Sequence, residues 1–91
     1  MGNITPLHPR LPYVGQILTN ANEAEVLATT LRNLSGNGFY ASWVALCRLP
    51  HDTYTPYVVW NLIDRPEGWY CERGDYYRTE AEAIEGYKQR H

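Results

Sequence analysis

Residues 39–49 read FYASWVALCRL, residues 57–63 read YVVWNLI, and residues 69–73 read WYCER. β-Branched and aromatic residues dominate these three segments, and such residues favour extended backbone. The connections between them contain Pro, Asp and Gly, which favour turns. Because both connections are short, the sequence predicts three consecutive antiparallel strands, the third of which ends at Gly74.

The aromatic residues are concentrated in this region. Ten of the twelve in the chain lie between residues 39 and 77: Phe39, Tyr40, Trp43, Tyr54, Tyr57, Trp60, Trp69, Tyr70, Tyr76 and Tyr77. A small sheet under short helices hides one face, so rings on the other face must contact water or a partner. Trp43 is expected in the core, because neither face of the first strand is strongly polar and that strand should be the most enclosed.

A helix is predicted before the strands, at residues 21–35. Asn20 and Glu23 match an Asn version of the capping box. The apolar residues that follow have helical spacing: Ala24, Leu27, Ala28, Leu31 and Leu34. The segment 35–38 (Ser-Gly-Asn-Gly) then provides a stop signal, because Gly and Asn accept the left-handed conformation common at helix ends.

A second helix is predicted after the strands. Thr79 and Glu82 form a Thr-x-x-Glu capping box, which marks a helix start. Ala81, Ile84 and Tyr87 supply a narrow apolar stripe. Gly86 either weakens this helix or allows it to pack closely against the sheet.

The predicted fold class is α+β in the order α-β-β-β-α, with a three- or four-stranded antiparallel sheet and both helices packed on one face. Residues 20–91 are expected to form this single domain. Residues 1–19 are expected to form an extended, proline-containing arm, in which 13–18 could be a short strand. The prolines, spaced three apart, would also suit a docking peptide, although an arm is the interpretation we favour.

This element order is similar to that of the double-stranded RNA-binding domain. In that family, lysines at the start of the last helix bind phosphates. The matching positions here are acidic, with Glu80 and Glu82 in the first turn. The similarity therefore covers the order of elements and no binding motif.

Charge and composition argue against several classes of function. The net charge is −2, and residues 52–91 carry eight acidic against five basic side chains, so non-specific nucleic-acid binding is disfavoured. No apolar run is long enough for a membrane-spanning helix. Two cysteines are too few for the disulfide framework of a small secreted domain, which predicts a reduced, cytoplasmic protein.

No catalytic, cofactor or metal motif stands out. Cys47 and His51 are four residues apart across a strand end, and Cys71 has no ligand near it, so no metal site is predicted. The sole nucleophile arrangement is Cys47 with His51 and Asp52, which lacks a recognisable oxyanion loop. No Gly-rich phosphate loop precedes a helix. We therefore expect a protein without enzymatic activity or cofactor.

The remaining expectation is protein recognition, because Tyr, Trp and Arg dominate interface hot spots. The predicted function is a small interaction module, of the regulator or inhibitor type, that binds a protein partner or its own copy as a homodimer. The predicted contact residues are Trp60, Trp69, Tyr70, Arg73, Tyr76 and Tyr77. The alternative is single-stranded nucleic-acid binding through the same aromatic sheet face.

Overall fold

A computed structural model of the chain describes residues 11–33 and 40–90. The strands are β1 (Ile17–Leu18), β2 (Ala24–Asn33), β3 (Ser42–Arg48), β4 (Tyr57–Arg65) and β5 (Gly68–Tyr77), followed by helix α1 (Glu80–Arg90). The five strands form one antiparallel sheet in sequence order. The predicted three- or four-stranded sheet with two helices on one face is therefore wrong: the described residues contain five strands and one helix.

The predicted helix at 21–35 is the source of that error, because residues 24–33 form β2. Irregularities interrupt the pairing of β2 with β3 between Val26 and Ala28 and again between Leu31 and Asn33. A bulge moves the following side chains to the other face. The residues of the predicted helical stripe are therefore divided between the two faces of the sheet: Ala24 packs in the inner core, whereas Leu27 and Ala28 pack on the outer face. The proposed stop signal at 35–38 lies outside the described residues.

The segment before β2 is a tight turn and does not cap a helix. Asn22 and Glu23 both have positive φ, 55° and 58°. The N–H of Ala24 donates to the carbonyl of Ala21 at 3.1 Å, which closes the turn. Two successive left-handed residues form the kind of turn that joins antiparallel strands, here β1 and β2. β1 lies within the 13–18 segment, and residues 1–10 of the predicted arm lie outside the described part of the chain.

The three strands predicted at 39–49, 57–63 and 69–73 are confirmed as β3, β4 and β5, and β5 continues past Gly74. In the pairing of β4 with β5, Asn61 is opposite Glu72 and Val59 is opposite Asp75. Arg73 and Gly74 together are therefore opposite Trp60, which is a β-bulge. The bulge absorbs the glycine, so the strand extends to Tyr77 instead of ending at 74.

The capping box of α1 is confirmed. The N–H of Glu82 donates to Thr79 Oγ1 at 3.2 Å, and the Thr79 hydroxyl donates to Glu82 Oε1 at 3.1 Å. Gly86 allows close packing: a Cβ at this position would overlap the Tyr77 hydroxyl and lie 2.6 Å from Tyr77 Cζ. Residue 86 therefore faces the ring of Tyr77 on β5.

The sheet is curled, and its inner face encloses a core of three indoles. Trp43, Trp60 and Trp69 are all buried in it, which confirms Trp43 as a core residue. Asn20 Nδ2, in the β1–β2 turn, donates to the carbonyl of Trp69 at 2.7 Å, which ties one edge of the sheet to the other. The sheet thus covers its own inner face by curling, and this face needs no helix.

Helix α1 covers part of the outer face. Ala83 packs there against Val44, Leu46 and Val59, and Tyr87 hydrogen-bonds to Thr30 on β2. The helix runs antiparallel to β5, and its last residue, Arg90, reaches Asn61. Beyond that point the outer face has no helix over it in the described structure. This end of the sheet carries the exposed rings of Tyr40 and Tyr70.

Candidate interaction surface

The six predicted contact residues separate into core and surface. Trp60 is 5% exposed and Trp69 is 9% exposed, so both indoles belong to the core. The Trp69 ring packs edge-on against Trp43, with centroids 5.6 Å apart. Tyr77 is half-buried beneath α1, whereas Tyr70, Arg73 and Tyr76 are exposed. Alternation along β5 explains the difference between Trp69, which faces inward, and Tyr70, which faces outward. Tyr76 is exposed although its ring packs edge-on against Trp60, with centroids 6.5 Å apart.

A cation held between two rings lies at the open end of the outer face. The guanidinium carbon of Arg65 lies 4.7 Å from the ring centroid of Tyr70 and 5.6 Å from that of Tyr40. The two rings are 46% and 47% exposed. We call these three residues the arginine–tyrosine stack. Tyr40 precedes β3, Arg65 ends β4 and Tyr70 lies on β5, so the sheet pairing brings together residues that are distant in sequence.

A polar cleft of about 600 Å³ lies on the same face, and we call it the arginine cleft. Its lining residues are Arg32, Asn61, Arg73, Gly74, Asp75 and Arg90. Arg32 Nη1 donates to Ser42 Oγ at 3.2 Å. Arg90 donates to Asn61 Oδ1 at 3.5 Å and forms an ion pair with Asp75.

The strand pairing places the arginine–tyrosine stack next to the arginine cleft. Ser42, which accepts from Arg32, is paired with Ile63, and Ile63 is paired with Tyr70. We call the combined surface the arginine–tyrosine face. It carries four guanidinium groups, against the carboxylates of Glu72 and Asp75. Net charge did not predict this positive surface, because its arginines, such as Arg32 and Arg90, are far apart in the sequence of a chain that is acidic overall.

A second groove, of about 770 Å³, lies elsewhere on the molecule and includes Tyr54 and Tyr76. Its charged groups have internal partners. His51 Nε2 lies 2.5 Å from Glu23 Oε1, which joins the β1–β2 turn to the β3–β4 loop. The backbone N–H groups of Thr55 and Tyr54 donate to Asp52 and lower the pKa of its carboxyl group. We interpret these contacts as structural.

Cys47, which lies near His51 and Asp52 in the sequence, is not activated as a nucleophile. Burial raises the pKa of the Cys47 thiol to about 12, and Trp60 Nε1 donates to its sulfur at 3.3 Å. Nucleophilic cysteines require a lowered pKa. The His51 side chain is exposed and paired with Glu23. Burial also raises the pKa of Cys71, to about 11, and both thiols are free.

Within residues 11–33 and 40–90, no group of three or more His, Cys, Asp or Glu residues could hold a metal ion. Over the same residues, no helix has the length and apolar character needed to cross a membrane. Comparison of the chain with known protein families, curated proteins and solved structures finds no match. Any function must therefore be argued from the chemistry of its residues and their geometry.

Proposed function

We propose that this chain is a small non-enzymatic interaction module that binds an acidic segment of another protein through the arginine–tyrosine face. The observation that carries the proposal is the position of Arg65 between the exposed rings of Tyr40 and Tyr70. Tyr and Arg are enriched among the residues that supply most interface binding energy. A guanidinium already held between two rings loses less conformational freedom on binding than a free one.

Charge supports an acidic partner. Arg32, Arg65, Arg73 and Arg90 lie on one face of a chain whose net charge is −2. Guanidinium groups form paired, charge-assisted hydrogen bonds with carboxylates. Complementary charge mainly favours partner selection and rapid encounter, while the rings supply apolar contact area. A regulator or inhibitor of a larger protein would use such a surface.

A foreign partner fits this surface better than a second copy does. A twofold axis through the face would place the same arginines opposite one another, which is unfavourable. The exposed carboxylates of α1 are Glu80, Glu82 and Glu85. Contact between these and the face of another copy would be head-to-tail, and such contacts tend to form open chains. We therefore expect a monomer in solution. The free thiols favour a reducing, cytoplasmic location.

The test measures binding of three fluorescein-labelled probes by anisotropy: decaglutamate, decalysine and a ten-nucleotide oligothymidylate. Decaglutamate should bind at low salt and decalysine should not. Arg65→Ala should weaken decaglutamate binding about two- to fivefold, the equivalent of one exposed ionic or cation–π contact. The matched control is Arg78→Ala, because Arg78 also lies over an exposed ring, that of Tyr54 at 4.9 Å, outside the face. Equal loss in both variants, or no binding of decaglutamate, would refute the proposal.

Single-stranded nucleic acid is the second candidate, favoured by the same combination of rings and guanidinium groups on an open sheet face. Glu72 and Asp75 oppose it, because they add negative charge to that face. Tighter binding of the oligothymidylate than of decaglutamate, with a steep decrease as salt rises, would establish this alternative in place of the acidic protein segment.

A further inference from the structure

We propose that the arginine cleft is an oxyanion subsite, in which Arg73, with Arg32 beside it, binds a carboxylate or phosphate group. One part of this inference rests on the proposed function: the carboxylate or phosphate would belong to a side chain of the acidic partner. Three observations support it: the backbone at position 73, the lack of a partner for the Arg73 side chain among the described residues, and the charge of the cleft.

The bulge in β5 places Arg73 in the cleft. Trp69 and Cys71 face the inner core, so strict alternation would direct residue 73 inward as well, towards Trp60. Bulges redirect side chains in this way. Here the extra residue moves Arg73 to the lining of the outer cleft, beside Asn61.

Of the three guanidinium groups that line the cleft, that of Arg73 is the one without a partner among the described residues. Arg32 is hydrogen-bonded to Ser42, and Arg90 is bound to Asn61 and Asp75. Arg73 has no side-chain hydrogen bond, ion pair or ring contact among the described residues. Its five N–H donors are therefore available to a ligand, and their planar arrangement matches two oxygens of a carboxylate or phosphate.

The charge of the cleft favours an anion. Three guanidinium groups line it, against the single carboxylate of Asp75, which is already paired with Arg90. Glu72 is opposite Asn61 in the register and adds one carboxylate at the rim. The excess is still positive, and Glu72 is the residue whose neutralisation should strengthen anion binding.

The experiment uses the full chain and follows the arginine Nε–Hε signals by NMR at constant ionic strength. The two probes are inorganic phosphate and acetate, and their relative affinities show whether the cleft prefers a phosphate or a carboxylate. Sodium chloride is the control for general salt effects. The Arg73 signal should shift and saturate with one or both probes. Arg73→Gln should weaken probe binding by at least about tenfold, the equivalent of one lost hydrogen bond to a charged group. Arg78→Gln should leave it unchanged, and Glu72→Gln should strengthen it about two- to fivefold.

The outcomes separate this subsite from the proposed function. If Arg65→Ala weakens decaglutamate binding and Arg73→Gln leaves it unchanged, the subsite is refuted and the proposed function stands. Saturable phosphate or acetate binding at Arg73 without decaglutamate binding would support the subsite and overturn the proposed function. Identical shifts of all arginine signals with chloride would overturn the subsite. Arg73→Gly provides a second variant without the guanidinium, in case Arg73→Gln disturbs folding.

Discussion

Arg73 has a backbone conformation that disfavours its own side chain. Its φ of 58° is left-handed, a region in which residues other than glycine are strained. The side chain makes no internal polar contact among the described residues that would offset this strain. Strained backbone at non-glycine positions is often found at functional sites. At the scale of single residues, the bulge therefore explains where Arg73 lies, and the proposed ligand explains why an arginine is there.

Arg73→Gly should therefore stabilise the protein. Glycine accepts a positive φ, so the free energy of unfolding should rise by up to about 1 kcal/mol, with a melting temperature several degrees higher. Glu72→Gly is the matched control: position 72 has no positive φ, so glycine there should lower stability by about 0.5–1 kcal/mol. Thermal denaturation followed by circular dichroism measures both. A loss of stability in both variants would contradict the strain at position 73.

At the scale of secondary structure, β2 and α1 show different limits of sequence reasoning. The capping box located the start of α1, because a cap depends on residues three apart in the chain. Residues 24–33 have apolar positions compatible with a helix, and only their pairing with β3 selects the strand. The pattern at α1 therefore gave a correct prediction, whereas the helix predicted at 21–35 is wrong, because β2 depends on a partner strand that its own sequence does not specify.

Gly86→Ala tests the packing of α1 on β5. Helix propensity alone predicts a gain of about 1 kcal/mol. The contact with Tyr77 predicts the opposite sign, because the added Cβ would overlap the ring; we expect a loss of about 1–3 kcal/mol. Urea denaturation gives the sign directly. Gln89→Ala, an exposed position in the same helix, should change stability by less than about 0.5 kcal/mol. A stabilised Gly86→Ala variant would refute the close packing.

At the scale of the whole molecule, the curl of the sheet determines which aromatic residues are available. Two helices on a flat sheet would have left many rings exposed. Instead the inner face closes on all three indoles, and five tyrosines remain at the surface: Tyr13, Tyr40, Tyr54, Tyr70 and Tyr76. The recognition surface is therefore built from tyrosine and arginine and contains no exposed indole among the described residues.

Asn20→Ala tests the closure of the curl, because it removes the hydrogen bond to the Trp69 carbonyl. We expect a loss of about 1 kcal/mol in the free energy of unfolding and stronger quenching of tryptophan fluorescence by acrylamide. Asn20→Asp should be at least as destabilising, because its carboxylate cannot donate to that carbonyl. Thr19→Ala, an exposed neighbour, should have little effect. Unchanged stability and quenching in both Asn20 variants would show that this bond does not hold the two edges together.

The sequence by itself determined that β3, β4, β5 and α1 exist, and that Trp43 lies in the core. These depend on residue preferences and on contacts between chain neighbours. Only the tertiary structure decided that residues 24–33 form a strand, that the sheet encloses Trp60 and Trp69, and that Arg32, Arg73 and Arg90 line one cleft. Strand pairing, bulges and the curl of a sheet join residues distant in the chain, and their energies depend on partners that no local pattern specifies.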